Sequence, residues 1–196
     1  MSPLIEGFKE AILAMPKAQL ECSEFRGETT FSISKEALLS VCFYARDRVG
    51  FDMLLDIATI DLLGEEPRFQ VVYELYSLRH GVHLRIKTKA EENEAVPSLI
   101  GVWPAADWLE REAYDMMGIK FEGHPNLTRI LMWEGYPYHP MRKDFPLQGK
   151  PSQASGIAFS EEAPLGGGPF VTVPTQATTE IREPRARPIE IIPESI

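Results

Sequence analysis

The chain has 196 residues, 44% hydrophobic and 10% aromatic, enough for one ordinary packed domain plus an appendage. Its formal net charge of −9 argues against nucleic acid, whose phosphates need clustered Lys and Arg, and against direct adsorption to an anionic membrane surface. The two cysteines, Cys22 and Cys42, form no C-x-x-C pair and have no Cys/His cluster around them, so the chain alone does not offer the four thiolates an iron–sulfur cluster usually takes.

From the start of the chain, Leu4, Ile5, Phe8, Ile12, Leu13 and Met15 recur at helical spacing, and Pro16 ends that helix. Residues 20–25 and 29–33 read as short strands around Arg26-Gly27-Glu28, where Gly27 supplies the positive φ of a tight turn. Ser34 is a candidate N-cap for a helix whose apolar face carries Ala37, Leu38, Val41, Cys42 and Ala45. Arg46 and Arg48 suit its last turn and Gly50 its C-cap, and Cys42 on the apolar stripe reads as a small core residue.

Three strands are expected next, at 52–62, 68–78 and 82–87. The second sets Phe69, Val71, Tyr73 and Leu75 against Arg68, Gln70 and Glu74, and the third sets Val82, Leu84 and Ile86 against His83, Arg85 and Lys87. The short Arg79-His80-Gly81 link predicts an antiparallel hairpin, and the alternation a sheet covered on one side. The fold class is therefore α+β: an antiparallel or mixed sheet with helices on one side, then a long ordered loop and an extended C-terminal tail. The core domain spans 1–117, the loop 118–147 and the tail 148–196.

Trp103-Pro104 opens the next helix, with Pro104 suited to its first turn. A helical wheel clusters Ala105, Trp108, Leu109, Ala113 and Met116, with Glu110, Arg111, Tyr114 and Asp115 away from that centre. Arg111 and Asp115 are spaced to pair, for roughly 0.3 kcal/mol if exposed. Glu112 falls inside the apolar arc, where a carboxylate must find donors or take up a proton. It is expected to tie down amides of the following loop, the alternative being a catalytic acid or base.

From Glu110 to Leu147 the chain is punctuated by Gly118, Gly123, Pro125, Gly135, Pro137, Pro140 and Pro146. Ile119, Phe121, Leu127, Ile130, Leu131, Met132, Trp133 and Phe145 are interspersed, too apolar for a disordered linker. A long apolar loop of this kind is usually functional, and contact with another protein is the expected use. Among the family patterns that stretches like this resemble, one runs E-R-E, then D, then G-I-x-F-x-G-H-P-x-L-x-R-I-L, and closes on G-H-P-L-R-K-D-[FY]-P-L. Glu110, Arg111, Glu112, Asp115, Gly118, Ile119, Phe121, Gly123, His124, Pro125, Leu127, Arg129, Ile130 and Leu131 match its first part. His139, Pro140, Arg142, Lys143, Asp144, Phe145, Pro146 and Leu147 match the second. The chain thus resembles the C-subunit family of the proton-translocating NADH:quinone oxidoreductase, respiratory complex I. Two departures are Met141 in place of Leu, a volume-conserving change, and Tyr138 in place of Gly, which implies a locally different backbone. Phe51 to Ile57 and Phe69 to Leu75 also suit the family's strands.

The resemblance implies a core subunit of the peripheral arm that holds no cofactor and no catalytic or metal-binding residue itself. It would pack on the subunit that forms the quinone site, near the one that carries the last iron–sulfur cluster, while FMN and the clusters sit in partners. It implies a peripheral location on the cytoplasmic side of the bacterial inner membrane, reached through the complex. An equivalent subunit of a ferredoxin-, coenzyme F420- or hydrogenase-linked complex is the nearest alternative. A free-standing small enzyme using Glu112, Asp115 and His124 is a remoter one, since no nucleophile elbow, dinucleotide fingerprint, P-loop or zinc spacing accompanies them. No signal peptide is visible, and no apolar run reaches the roughly 18 residues of a membrane span, so a soluble protein in a reducing compartment is expected.

The interface or loop-clamp candidates are Glu110, Arg111, Glu112, Asp115, His124, Arg129, His139, Arg142, Lys143, Asp144 and, in the tail, Phe170. His124 and His139 each precede Pro, which favours extended backbone over a metal pair. Arg129, Arg142, Lys143 and Asp144 either bind a partner's carbonyls and carboxylates or form an intrachain cluster with Glu110, Glu112 or Asp115, and both can hold together. The tail carries seven of the sixteen prolines and five of the fourteen glycines yet keeps apolar anchors such as Phe159, Phe170, Val171, Val173, Ile189 and Ile191. Extended, it reaches up to roughly 160 Å, enough to wrap a partner and add strands to its sheet. Loop and tail are expected to be stable only against a neighbouring polypeptide.

Overall fold

The computed structural model describes residues 2–146; the expectations for the tail, Phe170 among them, lie outside the described residues. Helix α1 (Pro3–Leu13) starts at Ser2, whose hydroxyl accepts from the Ile5 N–H, and buries Ile5, Phe8 and Ile12. Strands β1 (Leu20–Phe25) and β2 (Glu28–Ile33) pair antiparallel across a two-residue turn with Arg26 and Gly27 both at positive φ. That is the backbone a tight hairpin requires. Helix α2 (Lys35–Tyr44) runs on through a wide π turn at Ala45–Val49 and stops at Gly50, φ 89°. Arg46 closes its end by donating to the Val102 carbonyl at 2.6 Å. Ser34 occupies the cap position without capping: its hydroxyl donates 2.5 Å to the Lys17 carbonyl, tying the helix start to the chain before β1.

Strands β3 (Met53–Asp61), β4 (Phe69–Ser77) and β5 (Val82–Ala90) complete a mixed five-stranded sheet ordered β1-β2-β5-β4-β3. All neighbours are antiparallel except the parallel pair β2–β5. Alternation set the register of the β4–β5 hairpin, in which Phe69 faces Ala90 and Ser77 faces Val82. β5 runs three residues beyond its expected end.

One sheet face and the helices α1 and α2 share a continuous core in which Phe8 lies 5.8 Å from Phe31 and 6.1 Å from Phe51 between ring centroids. Cys42 is fully buried there, and burial pushes its thiol well above the ordinary range, as suits a core residue. The other face carries no helix among the described residues, and on its edge strand Met53, Leu55 and Ile60 are exposed.

Strand β6 (Ala95–Pro97) pairs parallel with β7 (Lys120–Glu122), so the stretch after residue 118 is not wholly irregular as expected. Between them helix α3 (Ala106–Met117) begins two residues later than predicted, Pro104 lying in the preceding turn. Its buried stripe is Ala106, Glu110, Ala113 and Met117, together with Asp115. Of the expected stripe, Ala113 is buried and Leu109 and Met116 pack partly on the core, whereas Ala105, Trp108 and Glu112 are exposed, so the helix is rotated from the expected orientation. The wheel weighed side-chain apolarity, whereas the helix turns inward the two carboxylates for which backbone donors exist.

Candidate functional site

Glu110 is fully buried, and its carboxylate accepts from the Ser98 hydroxyl and the Leu99 N–H, each at 2.6 Å. Burial raises its pKa against the lowering effect of those two donors. The bonds staple α3 to the segment that enters it, whereas the role foreseen for Glu112, holding amides of the loop that follows, falls to Asp115. Glu112 itself is exposed and holds no loop amide among the described residues, which corrects that expectation.

Asp115, also fully buried, is the centre of the loop. One carboxylate oxygen accepts from three consecutive N–H groups, Ile130 at 3.0 Å, Leu131 at 2.7 Å and Met132 at 2.8 Å. The other accepts from the Arg129 guanidinium at 2.5 Å. Burial would raise this carboxyl; the Met132 N–H, the Arg129 guanidinium and the other two N–H groups prevail and hold it below the usual carboxylate range. The expected Arg111–Asp115 pair does not form. Arg111 donates instead to the Thr128 and Arg129 carbonyls at 3.1 and 3.2 Å and stacks on Trp108. Buried Asp115 needs several fixed donors, and a neighbour on the same helix offers fewer than the loop does.

The helix ends at Gly118 in the left-handed region, φ 77°, its N–H returning to the Tyr114 carbonyl at 2.8 Å. A Cβ there would stand 2.5 Å from the Arg142 guanidinium and 2.6 Å from the His139 ring, so glycine is required twice over. His139 Nδ1 bonds to the Asp115 carbonyl at 3.0 Å, and burial holds this imidazole below the ordinary histidine range. His124 accepts the Asn126 N–H at Nδ1, 3.1 Å, and sets Nε2 3.3 Å from the Asp107 carbonyl and carboxylate. Each histidine therefore fastens a loop corner to α3.

The second motif element is held by a different cluster. Arg142 donates to the Met117 carbonyl at 2.7 Å and to Glu92 at 2.5 Å. Arg68 binds Asp61 through two bonds of 2.9 Å, Glu92 at 3.0 Å and Asp144 at 2.7 Å. The Lys143 N–H donates to Asp61 at 2.9 Å. The two guanidinium carbons lie 5.1 and 5.3 Å from the Phe69 ring centre. The Arg68 hydrogen bonds push both Asp61 and Asp144 below the usual carboxylate range. Asp61, Arg68 and Glu92 were missed as site residues; the signal was three charges at strand ends facing a charged loop. Tyr138, where the family pattern has glycine, lies 5.6 Å from Tyr136 and 6.0 Å from Phe145 in an aromatic row begun by Trp133.

Most of the candidates thus make hydrogen bonds inside the chain, which is the intrachain cluster that the sequence left open beside contact with a partner. Facing outward are Trp108, 60% exposed, Leu131, 61%, and Met141, 63%.

The fold recurs in two solved structures. The trypsin-resistant fragment of Nqo5 matches with a TM-score of 0.56 and 30% identity over 63% of this chain and 99% of its own. A chain of the membrane-bound sulfane sulfur reductase, an archaeal respiratory membrane complex, matches with a TM-score of 0.59, 73% of this chain and 85% of its own; at 24% identity it speaks for the fold alone. The NADH-quinone oxidoreductase C subunit of Geotalea uraniireducens is 47% identical over 66% of this chain and 80% of its own. A C subunit of the same enzyme in Rhizobium etli is 39% identical over 95% of this chain and 92% of its own. The class is accordingly a subunit of complex I-type oxidoreductases. Residues 31–151 match the family model of the respiratory-chain NADH dehydrogenase 30 Kd subunit, and the chain belongs to that family.

Proposed function

We propose that the chain is a cofactor-free core subunit of the peripheral arm of a proton-translocating NADH:quinone oxidoreductase. It docks through the motif loop onto the quinone-site subunit, with the subunit of the last iron–sulfur cluster close by. FMN and the iron–sulfur clusters belong to partner subunits, and the assembly sits on the cytoplasmic side of the bacterial inner membrane. The observation that carries this reading is the use of the family's charged residues. Asp115, Arg129, Arg142 and Asp144 are all engaged by hydrogen bonds that fix the loop, Arg129 among them although it also lines a cleft with Tyr114, Met132 and Tyr136. An internally clamped loop presenting Leu131 and Met141, together with Trp108 on α3, suits docking, with the aromatic as the natural anchor. Fully buried Cys42 and the lone Cys22 are a poor source of cluster ligands.

The test replaces outward side chains only. Trp108→Ser with Met141→Asp is expected to leave the thermal midpoint of the free chain unchanged. In cells it is expected to lower the amount of this chain in the membrane complex, and NADH:quinone activity with it, about tenfold, as loss of a buried aromatic anchor does. Full subunit content and activity in that variant would overturn docking through this surface.

A further inference from the structure

Tyr73 on β4 carries a polar group that the fold leaves without a protein partner. The register sets it on the core face of the sheet, in one row with Ile57, Ile86 and Phe31. The residue is fully buried, and its hydroxyl has no hydrogen bond among the described residues. Such a group destabilises the folded state unless something bonds it, and native interiors rarely leave one orphaned. The surroundings say what bonds it. In the strand order β5-β4-β3, α2 packs against β5 and α3 against β3, so β4 faces the seam between the two helices. Each helix carries a fully buried polar group on its inner stripe, Cys42 on α2 and Glu110 on α3. Burial first, and then Cys42 and Glu110, push the Tyr73 hydroxyl well above the ordinary tyrosine range, so both groups lie close enough to act on it. Ser98 and Leu99 each donate to a different oxygen of Glu110, so both oxygens keep a lone pair to spare. Two donors and an acceptor that share a seam without bonding one another need a bridge that both accepts and donates, and water is the smallest molecule that does so.

We propose that one ordered water is bound in this seam, accepting from the Tyr73 hydroxyl and the Cys42 thiol and donating to the Glu110 carboxylate. Three hydrogen bonds are about the number an internal water makes. The site ties β4 to α3 beside the staple that Glu110 forms with Ser98 and Leu99. It thereby joins the sheet to the helix that carries Asp115, the centre of the motif loop.

Tyr73→Phe, made in the full-length chain, removes the hydroxyl and keeps the ring. A water-bonded hydroxyl contributes to stability, so the variant is expected to raise the unfolded-to-folded ratio about fivefold in chemical denaturation. An orphaned hydroxyl gives the opposite sign, because its removal relieves an unmet desolvation cost. An unchanged or lower ratio therefore overturns the proposal. A double-mutant cycle with Glu110→Gln reads the partner: the two changes are expected to be non-additive, and additivity overturns the bridge to Glu110. A direct bond between Tyr73 and Glu110 would give the same coupling, so the water itself is looked for in a high-resolution crystal structure of the full-length chain. A density peak is expected within about 3.2 Å of both Tyr73 Oη and a Glu110 carboxylate oxygen. A seam with no such peak overturns the proposal, whatever the variants do, and this reading stands even if Tyr73→Phe fails to fold.

Discussion

The sheet and the motif loop are stable for opposite reasons. Between β3, β4, β5 and the helices α1 and α2 the chain buries Phe8, Phe31, Phe51, Phe69, Leu75, Leu84 and Ile86, so stability is spread over many apolar side chains. Residues 118–146 bury far less apolar surface, chiefly Ile119, Phe121 and Tyr136, and rest on two charged centres, Asp115 and Arg68. A distributed core degrades gradually under substitution; a loop hung from single carboxylates fails at once when one is removed.

Asp115→Ala gives the largest expected effect and tests that contrast directly. It strands three backbone N–H groups and the partly buried Arg129, at a cost of about 3–5 kcal/mol. Hydrogen exchange is expected to show Ile130, Leu131 and Met132 losing protection while β4 and β5 keep theirs. Equal loss in both regions would mean that sheet and loop are one cooperative unit.

Acid sharpens the comparison because the clamp contains groups that the core lacks. The folded state holds His139 below its ordinary pKa, so as pH falls through about 6.5 the unfolded chain takes up a proton that the folded loop refuses, and stability drops. Asp61, Asp115 and Asp144 are depressed carboxyls, so their stabilisation persists above about pH 4 and is lost as pH falls further through their folded values. Two steps are expected in the unfolding free energy measured by chemical denaturation against pH. His139→Gln is expected to abolish the upper step, and a profile identical to the parent would remove His139 from the mechanism.

Glu112→Gln is the smallest. The side chain is exposed, so the change in unfolding free energy is expected to stay within about 0.5 kcal/mol. A larger loss in chemical denaturation would show that the outward face of α3 is engaged.

These outcomes follow how far the sequence could be read. Period-two alternation around Arg79-His80-Gly81 located the β4–β5 hairpin because one face of each strand meets the core and the other meets solvent. The sequence by itself also determined the α+β class, the helix stop at Gly118, and the motif that marks the family. Pattern misled on α3, where Trp108 counted as core and Glu110 as surface, although Trp108 is 60% exposed and Glu110 is sealed beneath Ser98 and Leu99. Only the tertiary structure decided which carboxylate goes inside and that Arg68 joins Asp61 to Asp144. The physical reason is that apolar burial depends on a residue's own side chain and its local period. Burial of a charge depends on donors brought from strands and loops far away in the chain, and no local period encodes where those donors arrive.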